Sequence, residues 1–438
     1  MNRYFHSVRL LDEQCKGCTN CLKTCPTEAI RVRGGKARIK GERCIDCGQC
    51  IKVCPHGAKI AVTDSVKMLS AFEYNIALPP PALYGQFAGL NDTRILIAAL
   101  EKIGFNEVYE VAKGAEIASM TSQIIMEKSI IDRPVISSAC PAVVRLIQVK
   151  YPSLLPHVMT IDPPVEIAAQ LAREEAAAKT GLPQEKIGVF FITPCPAKMT
   201  GIKNPIGRIK SSISGAISMS DIYGLLSRNL SSITEDDIED ISVASGLGVS
   251  WATSGGEAAA MGVASNLCVD GIDNVSRVLE ELENNNFTGL EFFEGLACTA
   301  GCVGGPLVFE NNYVAKNRIR QLAENLKTTG VRPDVHQLAD IERWRFDEPV
   351  AQRPVLKLDD DVEKAMEKMD RIEKLCGLLP GLDCGSCGSP SCRALAEDIV
   401  QGNASQLDCI FILKDKIQQL AHEMAQFAGL DYMKQNGG

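Results

Sequence analysis

The stretch CKGCTNCLKTCP at 15–26 recurs as CIDCGQCIKVCP at 44–55. Eight thiols in two copies of one spacing leave a chain little freedom. The loops that carry them must close around something all eight can bind. Each copy sets three cysteines at three-residue intervals and ends on a fourth followed by proline: Cys15, Cys18, Cys21, Cys25-Pro26 and Cys44, Cys47, Cys50, Cys54-Pro55. In bacterial two-cluster iron–sulfur proteins with this spacing, the last cysteine of each run ligates the other cluster. Cys15, Cys18, Cys21 and Cys54 are therefore expected to hold one [4Fe–4S] cube, and Cys44, Cys47, Cys50 and Cys25 a second. A zinc site needs only four thiolates and leaves the doubled order unexplained.

The remaining cysteines bring the total to 18 in 438 residues. The N-terminal MNRYFHSVRL lacks the apolar core of a secretory signal. The longest apolar runs, RILIAAL and KIGVFFITPCPA, are too short to cross a bilayer. A cytoplasmic protein with no membrane partner is expected. Thiols stay reduced in that compartment, so the cysteines point to metal rather than to disulfides. A net charge of −8 argues against nucleic acid as a partner, whose binding proteins present basic surfaces.

Composition divides the chain into four stretches. Residues 1–64 read as a ferredoxin-like α+β domain with two clusters. Residues 65–350 alternate short apolar runs (RPVIS, KIGVFFIT) with amphipathic ones (VEIAAQLAREEAAAK before TGLP), a pattern of strands and helices. Residues 351–376 read as a helical linker, since DDDVEKAMEKMDRIEKLC is acidic at its start, which favours a helix N-terminus. Residues 377–438 hold a further cysteine-rich stretch and a terminal helix. There, LPGLDCGSCGSPSCRALAEDIV supplies Cys384, Cys387 and Cys392, and Cys409 follows. The pattern resembles a small [4Fe–4S] module appended to several anaerobic redox proteins, so a third accessory [4Fe–4S] cluster is expected here, with a zinc ribbon as the alternative. Cys268 and Cys376 read as small buried hydrophobes.

In the middle stretch, LACTAGCVGGP carries Cys298 and Cys302 with no nearby cysteines to complete a site. Cys140 in VISSACPAVVRL and Cys195 in VFFITPCPAK each follow an apolar strand and precede proline. Such strand-end loops are where α/β proteins place ligands. Together the four supply the thiolates one more cube needs.

The segments SSACPA (137–142), TPCPAK (193–198) and EGLACTAGCVGGP (294–306), in that order, resemble the three active-site signatures of the [FeFe] hydrogenases, also called iron-only hydrogenase large subunits. GLGVSWATSGGEAAAMG (246–262) resembles the family's Gly-rich stretch between the last two. The resemblance spans residues 1 to about 310. It implies a two-lobed α/β catalytic domain and an H-cluster, a [4Fe–4S] cube bonded through one cysteine to a diiron unit with CO, cyanide and a bridging azadithiolate. By that resemblance Cys140, Cys195, Cys298 and Cys302 ligate the cube, Cys302 also bridges to the diiron unit, and Lys198 donates to an iron-bound cyanide. The glycines after Cys302 would let a bulky cofactor approach the backbone. H2 and protons would be the substrates, and an external carrier such as ferredoxin the electron partner. Maturation proteins would be needed to install the diiron unit.

Five positions depart from the family pattern. Ala139 replaces the cysteine that relays protons. Thr193 and Leu296 replace methionines, and Gly201 replaces a glutamate. In VAKGAEIAS, Glu116 aligns with one relay glutamate, while Lys113 stands where another is expected. Loss of acid–base assistance is worth about 10²–10⁴-fold in rate. Together with the C-terminal module, these departures resemble the sensory branch of the family, in the subgroup without a PAS domain. The expected function is slow, reversible H2 oxidation and proton reduction serving to sense H2 or redox state, with a downstream signalling partner. Two other readings stay open: a fully catalytic, ferredoxin-linked enzyme with another proton path, and a non-catalytic hydrogenase-like iron–sulfur protein without the diiron unit.

Overall fold

The structure, a computed structural model, describes residues 4–329, 340–355 and 357–427. The outermost residues of the expected first and last domains (1–3 and 428–438), residues 330–339 of the expected middle domain and residue 356 of the expected linker lie outside the described residues. The chain forms two compact units. The first comprises the residues up to Arg9, Ile45–Lys52 and Ile60–Arg353; the second comprises Leu10–Cys44, Val53–Lys59 and the chain from Pro354 onward.

In the first unit, the run KIGVFFIT becomes the strand Ile187–Thr193, and every residue of it is buried. An unbroken apolar strand needs cover on both faces, which parallel α/β packing provides. It is central in a four-stranded parallel sheet with the order Glu107–Val108, Tyr74–Leu78, Ile187–Thr193, Gly215–Ser218. A second parallel sheet has the order Asn266–Asp270, Phe292–Leu296, Val135–Ile136. The helix Pro164–Thr180 lies on Ile187–Thr193 and Tyr74–Leu78 and packs against the helix Val111–Glu127. Proline at its first turn and left-handed Gly181 at its end set its limits. Two sheets covered by helices thus make the α/β domain expected from the sequence.

In the second unit, the strands Ile30–Arg33 and Lys36–Ile39 form an antiparallel hairpin, with Ile30 opposite Ile39 and Arg33 opposite Lys36. The helix Val362–Leu378 starts at Asp361, whose carboxylate accepts from the Glu363 and Lys364 amides at 2.9 and 3.3 Å. It is largely exposed, but Ile372 is buried with Leu379, Leu395, Ala396, Val400 and Cys409. The segment read as a linker therefore shares the small core of the C-terminal module.

Candidate functional site

Cys140, Cys195 and Cys298 each follow the carboxyl end of a parallel strand. Cys140 comes after Val135–Ile136 and caps the helix Pro141–Lys150, whose first residue is proline. Cys195 stands in the same position between Ile187–Thr193 and the helix Pro196–Lys203. Cys298 follows Phe292–Leu296. Strand ends from both sheets meet here, as expected for ligand sites in α/β folds. Cys302 is brought alongside Cys298 by the turn Ala300-Gly301, with φ of 69° and 93°. The Gly-rich stretch holds that turn: Ser254 N donates to Ala300 O at 3.3 Å, and Thr253 bridges Gly301.

All four cysteines, with Cys47, line one cavity of about 410 Å³. Burial pushes the Cys298 thiol well up, and its three cysteine neighbours add to the effect. Burial, only partly opposed by Lys198, pushes Cys302 to about 12. Cys195 is raised for the same first reason. Thiols at Cys195, Cys298 and Cys302 that resist ionising side by side fit a site whose thiolates are balanced by metal among them. The protein's own packing requires the glycines after Cys302. A Cβ at Gly305 would lie 2.4 Å from Pro194 O, and one at Gly304 would lie 2.1 Å from Thr299 O. They let the Cys302 loop press against the Cys195 loop and against its own preceding turn. Thr193 also shapes the site: its hydroxyl donates to Cys195 O at 2.9 Å and accepts from Cys195 N at 3.3 Å.

A second cavity, of about 610 Å³, shares Ala139, Pro194, Lys198, Leu296 and Cys302 with the first. Lys198 donates to Ala139 O at 3.2 Å. Gly201 lines a third cavity beside Ala139 and Lys198. Glu116 lines none of the three, and its Oε1 accepts from Ser245 N at 2.7 Å. Lys113 lies over the Tyr109 ring, 5.4 Å from its centroid.

Two carboxyl groups that sequence reading passed over line the second cavity: Glu257 and Glu294. Ser137 Oγ donates to Glu257 Oε2 at 2.5 Å and accepts from Ala139 N at 3.2 Å. Glu294 accepts from Gly255 N and Ala258 N at 2.8 and 3.0 Å. The half-buried Cys268 thiol reaches Glu294 Oε2 at 3.8 Å, so it is more than an apolar filler. Burial and the neighbouring Glu294 charge raise Glu257; burial raises Glu294. A signal was present in the sequence: FFEGL sets one acid inside a buried apolar strand, a costly placement without a purpose.

In the second unit, Cys15, Cys18, Cys21 and Cys54 line a cavity of about 330 Å³. Lys59 lines it too, only 2% exposed, and its Nζ has no hydrogen-bond partner among the described residues. A buried ammonium beside four thiols fits an anionic cluster in their midst. Of the other expected quartet, Cys47 and Cys50 lie in the first unit and Cys25 and Cys44 in the second. In the C-terminal module, Cys387, Cys392 and Cys409 gather at its core with Cys376. Among the described residues, no three of the expected cluster sulfurs lie within 4.8 Å of one another. Tetrahedral zinc would set them roughly 3.8 Å apart, from Zn–S bonds of about 2.3 Å.

Residues 74–268 match the family model for the iron-only hydrogenase large subunit, C-terminal domain. Residues 7–55 match a 4Fe-4S dicluster domain, and residues 379–411 match an Fe-S cluster model. The periplasmic [Fe] hydrogenase large subunit of Nitratidesulfovibrio vulgaris is 32% identical over 212 residues, covering 44% of this chain and 50% of that protein. A subunit of the NADP-reducing hydrogenase of Solidesulfovibrio fructosivorans is 23% identical over 201 residues, covering 44% and 31%. The chain thus spans half or less of the length of these relatives. An [FeFe]-hydrogenase structure from Chlamydomonas reinhardtii aligns with a TM-score of 0.48 at 14% identity, over 66% of this chain and 95% of that one. The α/β domain with cysteines at its strand ends agrees with that family match. Residues 74–268 carry the likeness to the [FeFe] hydrogenases. Among the described residues, no helix is long and apolar enough to cross a membrane.

Proposed function

We propose that the protein is a low-turnover [FeFe] hydrogenase that interconverts H2 with protons and electrons, and that it serves as an H2 or redox sensor. The convergence of Cys140, Cys195, Cys298 and Cys302 on one cavity, with Lys198 at its junction with the next, carries this reading. An H-cluster bound there supplies the redox-active metal at which H2 is made or split. Cys302, which lines both cavities, would be the cysteine holding such a cofactor on both sides. Lys198 offers an ammonium to an electron-rich ligand, a charge-assisted bond. Cys47, which lines the first cavity, belongs to the second ferredoxin-type quartet and marks where electrons enter. A reduced low-potential carrier such as ferredoxin would supply them, and maturation proteins would deliver the diiron unit. The Ala139 methyl group carries no exchangeable proton, which supports slow turnover and a signalling partner in place of bulk electron flow.

Glu257 and Glu294 supply the upstream part of a proton route to the second cavity. Cys268, Glu294 and Glu257 lead from a half-exposed position to the cavity shared with Cys302. Glu257, its proton retained by burial, is placed to donate into that cavity. The last step then lacks only a donor at position 139. Ala139→Cys is expected to raise H2 evolution about tenfold at equal cofactor occupancy, part of the full acid–base contribution. The gain should disappear in the double variant with Glu257→Gln, since the added thiol would have no donor behind it. No gain, or a gain that survives loss of Glu257, would refute the missing-donor account. Infrared spectra of the matured protein test the function as a whole. Bands of iron-bound CO and cyanide are expected; their absence after maturation would leave a non-catalytic iron–sulfur protein.

A further inference from the structure

The C-terminal module is built onto the ferredoxin-like hairpin at atomic register. Val32 N, on the open edge of the hairpin, donates to Gly388 O at 2.8 Å. Arg33 donates to Cys387 O and to Ser389 Oγ, each at 2.8 Å. Asp398, with a side chain 1% exposed, accepts from Arg31 Nε at 2.5 Å, Lys40 Nζ at 2.7 Å, Arg33 Nη2 at 3.2 Å and Ser389 Oγ at 3.1 Å. Three cations on one buried carboxylate define a fixed seat, since only one arrangement satisfies them all. Glycine at 388 permits the approach: its φ is +75°, and a Cβ there would stand 1.9 Å from Val32 O.

This seat brings two cysteine loops together. A Cβ at Gly385 would lie 3.3 Å from Leu22 Cδ2 and 3.1 Å from Lys23 Cε. Gly385 follows Cys384 directly, and Leu22 follows Cys21. Gly385 therefore packs beside Leu22 and Lys23, which brings the loop of a C-terminal cluster ligand against the loop of a ligand of the first N-terminal quartet. An electron passing directly between the two loops would cross this contact.

We propose that Cys384, Cys387, Cys392 and Cys409 hold a cluster that exchanges single electrons with the cluster of Cys15, Cys18, Cys21 and Cys54 across the Gly385–Leu22 contact, with Asp398 as the positioning residue that keeps the contact closed. This rests on the reading of both quartets as [4Fe–4S] sites. In the exchange, one cube passes from its reduced to its oxidised state while the other makes the reverse change. No proton moves, and no bond forms or breaks.

Electron paramagnetic resonance of the full-length, cluster-loaded protein, reduced stepwise with a one-electron reductant, tests this alongside iron and zinc analysis. At full reduction the wild-type spectrum should show spin–spin interaction beyond that of Cys392→Ala, which should hold about four fewer irons per chain. Asp398→Asn keeps every ligand and removes the charge the three cations share. It should keep its iron and lose the added interaction. A wild-type spectrum equal to the Cys392→Ala spectrum plus one isolated cube would overturn the wiring. So would an added interaction unchanged in Asp398→Asn, since the seat would then not hold the contact. Loss of zinc, not iron, in Cys392→Ala would instead remove the cluster on which the proposal rests. If Cys392→Ala does not fold, the comparison of wild type with Asp398→Asn decides.

Discussion

In Cys302→Ser, matured alongside the wild type, the CO and cyanide infrared bands are expected to vanish and H2 evolution with them, while the N-terminal clusters remain. Cys302 lines both the four-thiol cavity and the one next to it, so a single sulfur there can serve metal on both sides. A thiolate bridges two irons; a serine hydroxyl, less acidic and harder, bridges them poorly. The position is also sterically defined. The turn before it and the glycines after it are pressed against the Ser254 and Pro194 backbones, so the substituted side chain cannot swing to a new site. The loss is therefore specific to the composite cofactor. Bands of wild-type intensity in the variant would end the bridging assignment. Cys268→Ser, outside the four-thiol cavity, serves as the control expected to keep its bands.

Glu257→Gln is the second large effect. Glutamine is nearly isosteric and can still accept from Ser137, so cofactor loading should be preserved. It cannot move a proton as a carboxylic acid does. H2 evolution is expected to fall about 100-fold, a barrier increase of roughly 3 kcal/mol. The pH profile separates this from simple damage. Burial and the Glu294 charge raise the Glu257 carboxyl above the ordinary range, so it keeps a proton that an exposed glutamate would lose. As pH rises through the raised value, the wild type should lose activity on an alkaline limb that Glu257→Gln lacks. The same shift sets a stability slope. Between the unfolded and the raised folded value the folded state binds more protons, so stability falls as pH rises across that window. Unchanged turnover in Glu257→Gln at equal cofactor occupancy would remove the carboxyl from the proton route.

The strands and ligand loops were legible because their signals are local. KIGVFFIT reads as a strand covered on both faces, and Cys-Pro at two strand ends reads as loop followed by helix. Thr193 was legible only as a departure from the family pattern. Its hydroxyl pinning the Cys195 backbone on both sides emerged only from the folded loop. Glu116 stood out by alignment, yet its carboxylate binds the Ser245 amide beside the start of another helix. The acids that do reach the cavity, Glu257 and Glu294, lie 37 residues apart and come from a short helix and a strand.

By itself the sequence determined the cysteine inventory, its grouping by spacing, the α/β character and the methyl group, with no exchangeable proton, at position 139. Each is a matter of residue identity or of periodicity over a few positions, where local physics suffices. Tertiary structure alone decided which acids approach Cys302, why Gly304 and Gly305 are needed, and that Asp398 binds Arg31, Arg33 and Lys40. Those pairings join residues up to 367 positions apart. A contact of that kind depends on how sheets, helices and loops pack together, and no window of sequence carries that information.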